Sequence, residues 1–547
     1  MRRLLAQSRA AFAGAFRNRA MRRLQLAGIG STLGIWAYGV AIAVYAYRRD
    51  GATAVGLLFF VRWSLAGAFA PWLAVLADRM PRRRVMLAAD VARAALVVGI
   101  ASADALGGSA FVVYALAVAA SIAGAAFAPA QSALMPSLAE TPEELTSANV
   151  AMSTTASIGM FAGPALAGAL LAVGSTSLVF AITAASFVWS ALCVAGIPLD
   201  PAPAAEGGPE PVGAAFAAGL RGIVRDARLA LVIGLTAAQT LVAGALQVLL
   251  VVVALRLLHA GNGGVGWLNA ALGVGSVAGG IGASLLVGRR GLALALGGGL
   301  VLFGLPLALT AAVPRLAAAV VLFAAIGVGS TIVDVAGITL LQRTSGDELL
   351  GRVFGVLESL IFLSLAVGAG LTPPLVRALG PKGALVAVGA VLPLLCLLLW
   401  PRLRSLEADA VVPDEPLALL RSIPIFAPLP GPVLEQLAAG AALRTVVAGE
   451  AVVEQGRSGD LFYAIASGTA STEVDGRTVR ELGPGDFFGE IALLRDVPRT
   501  ATVRALGELR LYALDRDRFL AAVTGHAPST AAANRVVAER LPATAPI

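Results

Sequence analysis

Charged residues are scarce in this 547-residue chain: they make up 14% of it, whereas 58% of the residues are hydrophobic. A soluble globular domain is closer to half apolar and a quarter charged. This deficit excludes an ordinary cytosolic enzyme and a disordered protein, and it predicts an integral membrane protein. Aromatic residues are also few, at 6%, and 62 glycines accompany the aliphatic residues, which suits helices packed closely in lipid.

Cysteine, histidine and lysine are nearly missing as well. The two cysteines, Cys193 and Cys396, lie in apolar segments, and there are two histidines, so the sequence predicts no disulfide framework and no zinc or haem site. The net charge is +8, but the basic residues are dispersed, which argues against nucleic acid as a partner. The chain has no nucleophile elbow and no phosphate-hydrolysing loop, so we expect no enzymatic activity.

Long apolar stretches follow one another through the first 400 residues, and each approaches the roughly 20 residues needed to cross a bilayer. The widest break, at 198–228, is rich in proline and glycine and divides the stretches into six plus six. We therefore predict an α-helical membrane protein with twelve transmembrane helices in a 6+6 pseudo-repeat, at about 24–47, 52–76, 85–103, 109–135, 146–171, 175–197, 229–257, 262–287, 291–312, 315–341, 350–378 and 382–401.

Polarity and arginine placement predict the domains and the orientation. We expect a basic cytoplasmic segment at 1–23, the transmembrane region at 24–401, a linker at 402–420 and a soluble domain at 421–547. The first 23 residues hold seven arginines and no acidic residue, and alternate loops carry most of the remaining arginines. Positive residues stay on the cytoplasmic side, so both termini are predicted to be cytoplasmic, in a membrane of the bacterial cytoplasmic type.

A basic motif follows the second apolar stretch. It reads Asp-Arg-Met-Pro-Arg-Arg-Arg at 78–84, which is similar to the signature of the major facilitator superfamily between helices two and three, although Ala74 and Pro81 replace two glycines. The fifth stretch resembles an element of drug/proton antiporters, and other segments resemble the exporter branch related to enterobactin and macrolide efflux carriers. The resemblance implies a gate latch at Asp78, Arg79, Arg82 and Arg83, and a bent helix at Gly159, Gly163, Pro164 and Gly168.

Charged side chains inside the apolar stretches are costly in lipid and usually face a partner or a cavity. Asp90 and Arg93 are three residues apart, so they can pair on one helix face, and we interpret them as a structural pair. Asp334 and Glu358 are the candidates for proton coupling, since a desolvated carboxyl group can titrate near neutral pH. Arg62 is their possible partner, and capping of a broken helix is the alternative role for either acid.

The regularly spaced turns of the soluble segment predict a small antiparallel β-barrel or jelly roll with flanking helices. Residues 487–494 read Phe-Phe-Gly-Glu-Ile-Ala-Leu-Leu, and residues 498–503 read Pro-Arg-Thr-Ala-Thr-Val. These two motifs are similar to the phosphate-binding cassette of the cyclic-nucleotide-binding domain family, which the segment from Ile423 to about Leu541 resembles. A degenerate barrel that had lost its ligand would be expected to lose the arginine or the glutamate of that cassette, and both are present here.

The cassette chemistry predicts a cyclic phosphodiester ligand. Gly489 allows close backbone approach, Arg499 supplies charge-assisted hydrogen bonds, and Glu490 accepts from the ribose 2′-hydroxyl. The resemblance adds the Ala492 amide and the Thr500 hydroxyl as phosphate contacts, and a Thr500 contact to guanine keeps cGMP possible beside cAMP. The predicted nucleotide-binding residues are Gly489, Glu490, Ile491, Ala492, Arg499 and Thr500, and the apolar residues of 531–541 predict a lid over the base.

Together these observations predict a secondary carrier with a cytoplasmic cyclic-nucleotide sensor. Its partners would be the lipid bilayer, a small-molecule substrate and cAMP or cGMP as regulatory ligand, with proton-coupled export of a lipophilic or amphipathic compound as the expected activity. Two alternatives stay open: a lipid or lysolipid flippase with the same sensor, and a membrane-anchored cyclic-nucleotide receptor without transport. A gated channel is disfavoured because no pore loop with a filter sequence stands out.

Overall fold

The computed structural model describes residues 18–139, 141–198, 212–284, 291–344, 347–409, 414–429 and 431–540. Within these ranges the chain divides into two compact units, the first reaching Arg404 and the second beginning at Ser405. Apolar helices make up the first unit, whereas the β-strands all lie in the second.

The first unit is a bundle of helices. Its helices are α1 (Arg19–Arg79), α2 (Arg82–Ala105), α3 (Ala110–Ala125), α4 (Phe127–Leu138), α5 (Pro142–Val173), α6 (Thr176–Ala195), α7 (Val212–Arg225), α8 (Ala227–Val252), α9 (Gly261–Ser284), α10 (Leu292–Leu309), α11 (Leu316–Thr344), α12 (Asp347–Leu398) and α13 (Trp400–Asp409). A π-helical turn, Val253–Leu257, follows α8, and α13 crosses the boundary into the second unit.

Kinks divide the two longest helices. The backbone is non-helical at Asp50 and Gly51 in α1 and at Gly380 in α12, and both glycines have a positive φ, of 71° and 69°. Glycine adopts this left-handed conformation without the steric cost of a Cβ. Ten helical stretches of the described chain are long and apolar enough to cross a membrane, and these kinks split two of them. Twelve apolar segments result, as the sequence predicts.

Helices from the two halves of the bundle pack closely at the end that carries the two kinks. In α5, a Cβ placed on Gly168 would lie only 2.8 Å from the Cα atom of Gly266 in α9. In α12, a Cβ on Gly370 would lie 3.0 Å from the Phe60 ring of α1, and Arg377 donates a 2.6 Å hydrogen bond to the Thr53 hydroxyl. Small residues thus let the two halves meet along this end.

The second unit is a two-sheet antiparallel sandwich with helices at its edges. Its elements are α14 (Asp414–Ser422), α15 (Gly431–Ala439), β1 (Ala442–Val446), β2 (Ala451–Val453), β3 (Leu461–Ser467), β4 (Ala470–Val474), β5 (Arg477–Leu482), β6 (Phe487–Phe488), α16 (Glu490–Arg495), β7 (Thr502–Ala505), β8 (Leu509–Asp515), α17 (Arg516–Thr524) and α18 (Ala527–Arg540). One sheet has the strand order β1-β8-β3-β6 and the other β2-β7-β4-β5.

Stacked phenylalanines join the flanking helices to the sheet. Phe462 of β3 lies 4.9 Å from Phe519 of α17 and 5.2 Å from Phe426, measured between ring centroids, and all three side chains are fully buried. Phe487 of β6 stacks on the same Phe462 ring at 5.7 Å. Burial of such rings contributes about 1.5–3 kcal/mol each. The predicted fold class, a helical membrane region followed by a small jelly roll with flanking helices, is confirmed.

Candidate functional site

The cassette is a strand, a sharp turn and a short helix in direct succession. β6 ends at Phe488, and Gly489 turns the chain with a φ of 94° before α16 begins at Glu490. A Cβ on Gly489 would lie 2.6 Å from Arg499 Nη1 and 2.9 Å from the Leu461 carbonyl oxygen. Glycine is therefore required here both for its backbone conformation and for the close approach of its neighbours.

Arg499 lies under this turn, with only 5% of its surface exposed. Its Nη1 donates to the Gly489 carbonyl at 3.0 Å and its Nη2 to the Leu461 carbonyl at 2.7 Å, while Nε is buried without a hydrogen-bond partner. Burial lowers the pKa of the guanidinium, and the neighbouring Tyr463, Asp460 and Glu490 oppose that shift. Because the ordinary arginine pKa lies above 12, the side chain keeps its positive charge at neutral pH.

Glu490 is 1% exposed and forms an ion pair with an arginine that the sequence analysis did not identify. Arg540, the last residue of α18, donates through Nη1 to the Glu490 Oε1 atom at 2.8 Å and to the Phe487 carbonyl at 2.8 Å, and its guanidinium lies 4.1 Å from the Phe487 ring centroid. Burial raises the pKa of the Glu490 carboxyl, and Arg540 and then Arg499 act in the opposite direction. The C-terminal helix is thereby bound directly to the cassette.

The other predicted cassette residues surround this pair of charges. Ala492 is buried in α16, Ile491 beside it is partly buried, and Thr500 is exposed next to Arg499. In the predicted lid, Val537 is fully buried and Val536 packs against the phenylalanine core of the second unit, while Leu541 lies outside the described residues. Helical spacing predicted the lid, but nothing in that spacing showed that Arg540 would reach Glu490.

The gate residues predicted in the bundle lie around the short connection between α1 and α2. The side chains of Asp78 and Arg79 lie outside the part that the structure describes. Arg83 donates to the Ala195 carbonyl at the end of α6, with an Nη2–O distance of 2.5 Å, and Arg82 is partly buried. Whether these residues form a latch stays a prediction.

Gly159, Gly163, Pro164 and Gly168 all lie within α5, which is helical from Pro142 to Val173. A Cβ on Gly163 would lie 2.6 Å from the Trp36 Cβ in α1, whereas Gly168 approaches α9 from the opposite half of the bundle. The glycines therefore bring α5 close to two other helices, and a bend at Pro164 stays a prediction.

The predicted pair Asp90 and Arg93 is in contact in the bundle interior. The two side chains form an ion pair, with 0% and 3% of their surfaces exposed. Arg93 Nη2 also contacts the Ser31 hydroxyl at 3.1 Å, and the guanidinium lies 4.8 Å from the Phe127 and 4.5 Å from the Phe187 ring centroids. Its countercharge thus comes from the same helix.

The three proton-coupling candidates are not bonded to one another among the described residues. Asp334 of α11 and Glu358 of α12 are exposed. Arg62 is partly buried among aromatic rings, and no carboxylate of the described residues forms an ion pair with it. The described residues also contain no group of three or more His, Cys, Asp and Glu that could hold a metal ion.

Comparisons with known proteins match two separate regions of the chain. Residues 24–289 match the sequence model of the Major Facilitator Superfamily, and residues 443–526 match that of the cyclic nucleotide-binding domain. The first match is to the superfamily and does not select an exporter branch. Each match covers less than half of the chain, so residues 24–289 are similar to the Major Facilitator Superfamily and residues 443–526 to the cyclic nucleotide-binding domain.

A curated relative, the cAMP-dependent protein kinase regulatory subunit of Yarrowia lipolytica, is 39% identical over 102 residues, which are 18% of this chain and 27% of the relative. Solved structures similar to the chain include cAMP-bound PfPKA-R, at 25% identity and a TM-score of 0.22 over 23% of this chain and 45% of that one. The regulatory domain of Toxoplasma gondii PKA with cAMP shares 31% identity, with a TM-score of 0.21 over 24% and 48% of the two chains. The chain thus spans less than half the length of each.

Proposed function

We propose that this protein is a secondary transporter whose activity is controlled by a cyclic nucleotide bound at the cassette. The observation that carries the proposal is the pair of buried charges, Arg499 and Glu490, which both lie next to Gly489. Burying charge in a protein interior is costly unless a partner compensates it. A cassette that keeps both charges is suited to a ligand that has one anionic group and one hydroxyl donor.

A cyclic phosphodiester fits that chemistry. Its single negative charge meets the Arg499 guanidinium, whose Nε is still without a partner, and its ribose 2′-hydroxyl donates to the Glu490 carboxylate. Because Arg540 already occupies one Glu490 oxygen, nucleotide binding changes the surroundings of α18. Both cAMP and cGMP satisfy these contacts. A contact from the exposed Thr500 to the guanine amino group would favour cGMP.

In the bundle we propose alternating access between the two halves, with export of a lipophilic or amphipathic compound driven by protons. The close approach of α5 to α9 and of α1 to α12 at one end supports a state closed on that side. Arginine placement supports this as the outer side, with both termini in the cytoplasm as part of the proposal. A coupling free energy of about 1–3 kcal/mol between nucleotide and carrier would change the active fraction roughly 5- to 150-fold.

Transport in proteoliposomes tests the regulation. Vesicles that contain the full chain are loaded with a fluorescent lipophilic dye and given a proton gradient, and cAMP, cGMP or 5′-AMP is added on the side of the second unit. We expect either cyclic nucleotide to change the efflux rate and 5′-AMP to have no effect. Arg499→Gln should remove the response, and Arg444→Gln, at an exposed position in β1, should retain it. An identical response in both variants would contradict the proposal.

Proton coupling is tested separately at the two exposed acids of the bundle. Asp334→Asn or Glu358→Gln should make dye efflux independent of the pH gradient if that carboxyl group carries the proton. The control is downhill efflux without a gradient, which the substituted carrier should still perform. Retention of the gradient dependence in both variants would refute the coupling assignment while leaving the nucleotide site untouched.

The orientation is tested with a single cysteine. In a chain whose native cysteines are replaced, Ser422→Cys at the exposed end of α14 should react only with reagents that enter the cytoplasm. Labelling of intact cells by an impermeant reagent would place the second unit outside and would separate it from intracellular nucleotides.

A further inference from the structure

Arg62 stands out in the bundle because three aromatic rings surround its guanidinium. The Cζ atom lies 5.4 Å from the ring centroid of Tyr38, 5.9 Å from that of Phe59 and 5.4 Å from that of Trp63. Its Nε atom is buried and has no hydrogen-bond partner. Aromatic faces attract a cation but supply no compensating charge and no acceptor for its N–H groups.

Arg93 provides the comparison within the same bundle. It too lies over two aromatic rings, but Asp90 pairs with it and Ser31 accepts from it. Arg62 lacks such a carboxylate among the described residues, although both arginines lie in apolar helices. An ionised side chain in this position requires a countercharge, because isolated charges in hydrocarbon are costly.

Arg62 lies near the middle of a predicted membrane span. It lies eleven residues beyond the Gly51 kink, which corresponds to roughly 16 Å along a helix and to about half of a 30 Å hydrocarbon core. The adjacent Trp63 donates to Gln247 Oε1 of α8 at 3.2 Å and lies 6.0 Å from the Phe362 ring of α12. This cluster therefore joins helices of both halves near mid-depth, where carriers of this architecture bind their substrates.

We infer that Arg62 binds the anionic group of the transported compound, and that the substrate is an amphipathic anion whose apolar part lies against the surrounding aromatic side chains. This inference rests on the proposed transport function and narrows its substrate class. The chemistry is shared by aromatic or fatty carboxylates and by single-chain anionic lipids. In either case the negative group of the substrate would be the countercharge of Arg62, as the Asp90 carboxylate is for Arg93.

Binding of a matched pair of probes tests the inference. The full chain in a non-ionic detergent is titrated with 1-pyrenebutyrate and with its uncharged amide, which has the same ring and length, and pyrene fluorescence reports binding. We expect the anion to bind about 10- to 100-fold more tightly than the amide. Arg62→Gln should remove this preference, Arg62→Lys should keep part of it, and Arg48→Gln, an exposed arginine of the same helix, should leave it unchanged.

Equal affinity of the wild type for the two probes would overturn the inference, as would full retention of the preference in Arg62→Gln. The probe comparison in the wild type does not depend on the folding of any variant. Competition with lysophosphatidylglycerol distinguishes the two sources: displacement of the probe by this lysolipid indicates a lipid anion as substrate, and a probe that stays bound indicates a soluble anion. If the anion binds through Arg62 but is not transported across the membrane, the proposed transport function is wrong and the anion site stands. If transport is regulated by nucleotide but is unchanged in Arg62→Gln, the transport function stands and the anion site is wrong.

Discussion

The two units of this protein surround their buried and partly buried arginines in different ways. In the jelly roll, Arg499 donates to the carbonyls of Gly489 and Leu461, and the nearby Glu490 is matched by Arg540. In the bundle, Arg93 has Asp90 beside it, whereas Arg62 has only aromatic rings. Gly489, Glu490 and Arg499 of the cassette lie within eleven residues of one another, whereas the Arg62 cluster of α1 reaches Gln247 of α8 and Phe362 of α12 through Trp63.

The largest effect is expected from removing a countercharge in the bundle. Asp90→Asn leaves Arg93 buried without a carboxylate, which should destabilise the bundle by about 3–5 kcal/mol. Arg62→Met removes a charge that has no partner and should cost less than about 1 kcal/mol or stabilise the protein. Thermal unfolding in detergent, followed by circular dichroism, measures both. A similar loss in the two variants would erase the distinction between the arginines.

A smaller effect is expected from glycine substitutions that separate backbone strain from steric contact with Arg499 in the cassette. Gly489→Ala and Gly485→Ala both place a Cβ at a positive φ, of 94° and 90°, and each should cost about 1–3 kcal/mol in backbone strain. Only at Gly489 would the Cβ also meet Arg499 and Leu461, since no atom lies within 4 Å at Gly485. We therefore expect Gly489→Ala alone to weaken nucleotide binding, as measured by titration calorimetry. Equal weakening in both variants would show that the close approach is unimportant.

The smallest effect concerns pH and Glu490. Because burial raises its pKa above the ordinary value, the folded protein binds a proton more readily than the unfolded chain. The contribution of Glu490 to the stability of the folded protein is therefore fully present below the ordinary glutamate pKa, about 4.3. It is lost as the pH rises through the pKa that Glu490 has in the folded protein. The melting temperature of the wild type relative to Glu490→Gln should therefore fall as pH is raised from 4 to 7. A constant difference over that range would mean that Arg540 fully offsets the burial.

The sequence predicts the fold and the cassette well because their signals are local. Apolar stretches of about 20 residues predict the helices, and the kinks at Gly51 and Gly380 lie in the breaks between those stretches. Gly489, Glu490 and Arg499 lie within eleven residues, so one motif carries them. The contact of Arg540 with Glu490 joins residues 50 apart, and the packing of Trp63 with Gln247 joins residues 184 apart, so no local pattern contains either one.

The surroundings of Arg62 could not be predicted from the sequence either. The sequence identified it as an intramembrane charge and suggested Asp334 or Glu358 as its partner, since opposite charges in lipid usually pair. The described structure pairs it with neither and surrounds it with rings from α1. Which helices lie next to one another at mid-depth depends on tertiary packing of small residues, and helical periodicity does not contain that information.

Titration calorimetry of the full chain with cAMP and with cGMP tests the central claim most directly. We predict saturable heat at one site for at least one of the two nucleotides, no heat for Arg499→Ala at the same concentrations, and unchanged binding for the exposed control Arg444→Ala. Absence of heat with both nucleotides in the wild type, or equal binding by Arg499→Ala, would contradict the assignment of the cassette as a cyclic-nucleotide sensor.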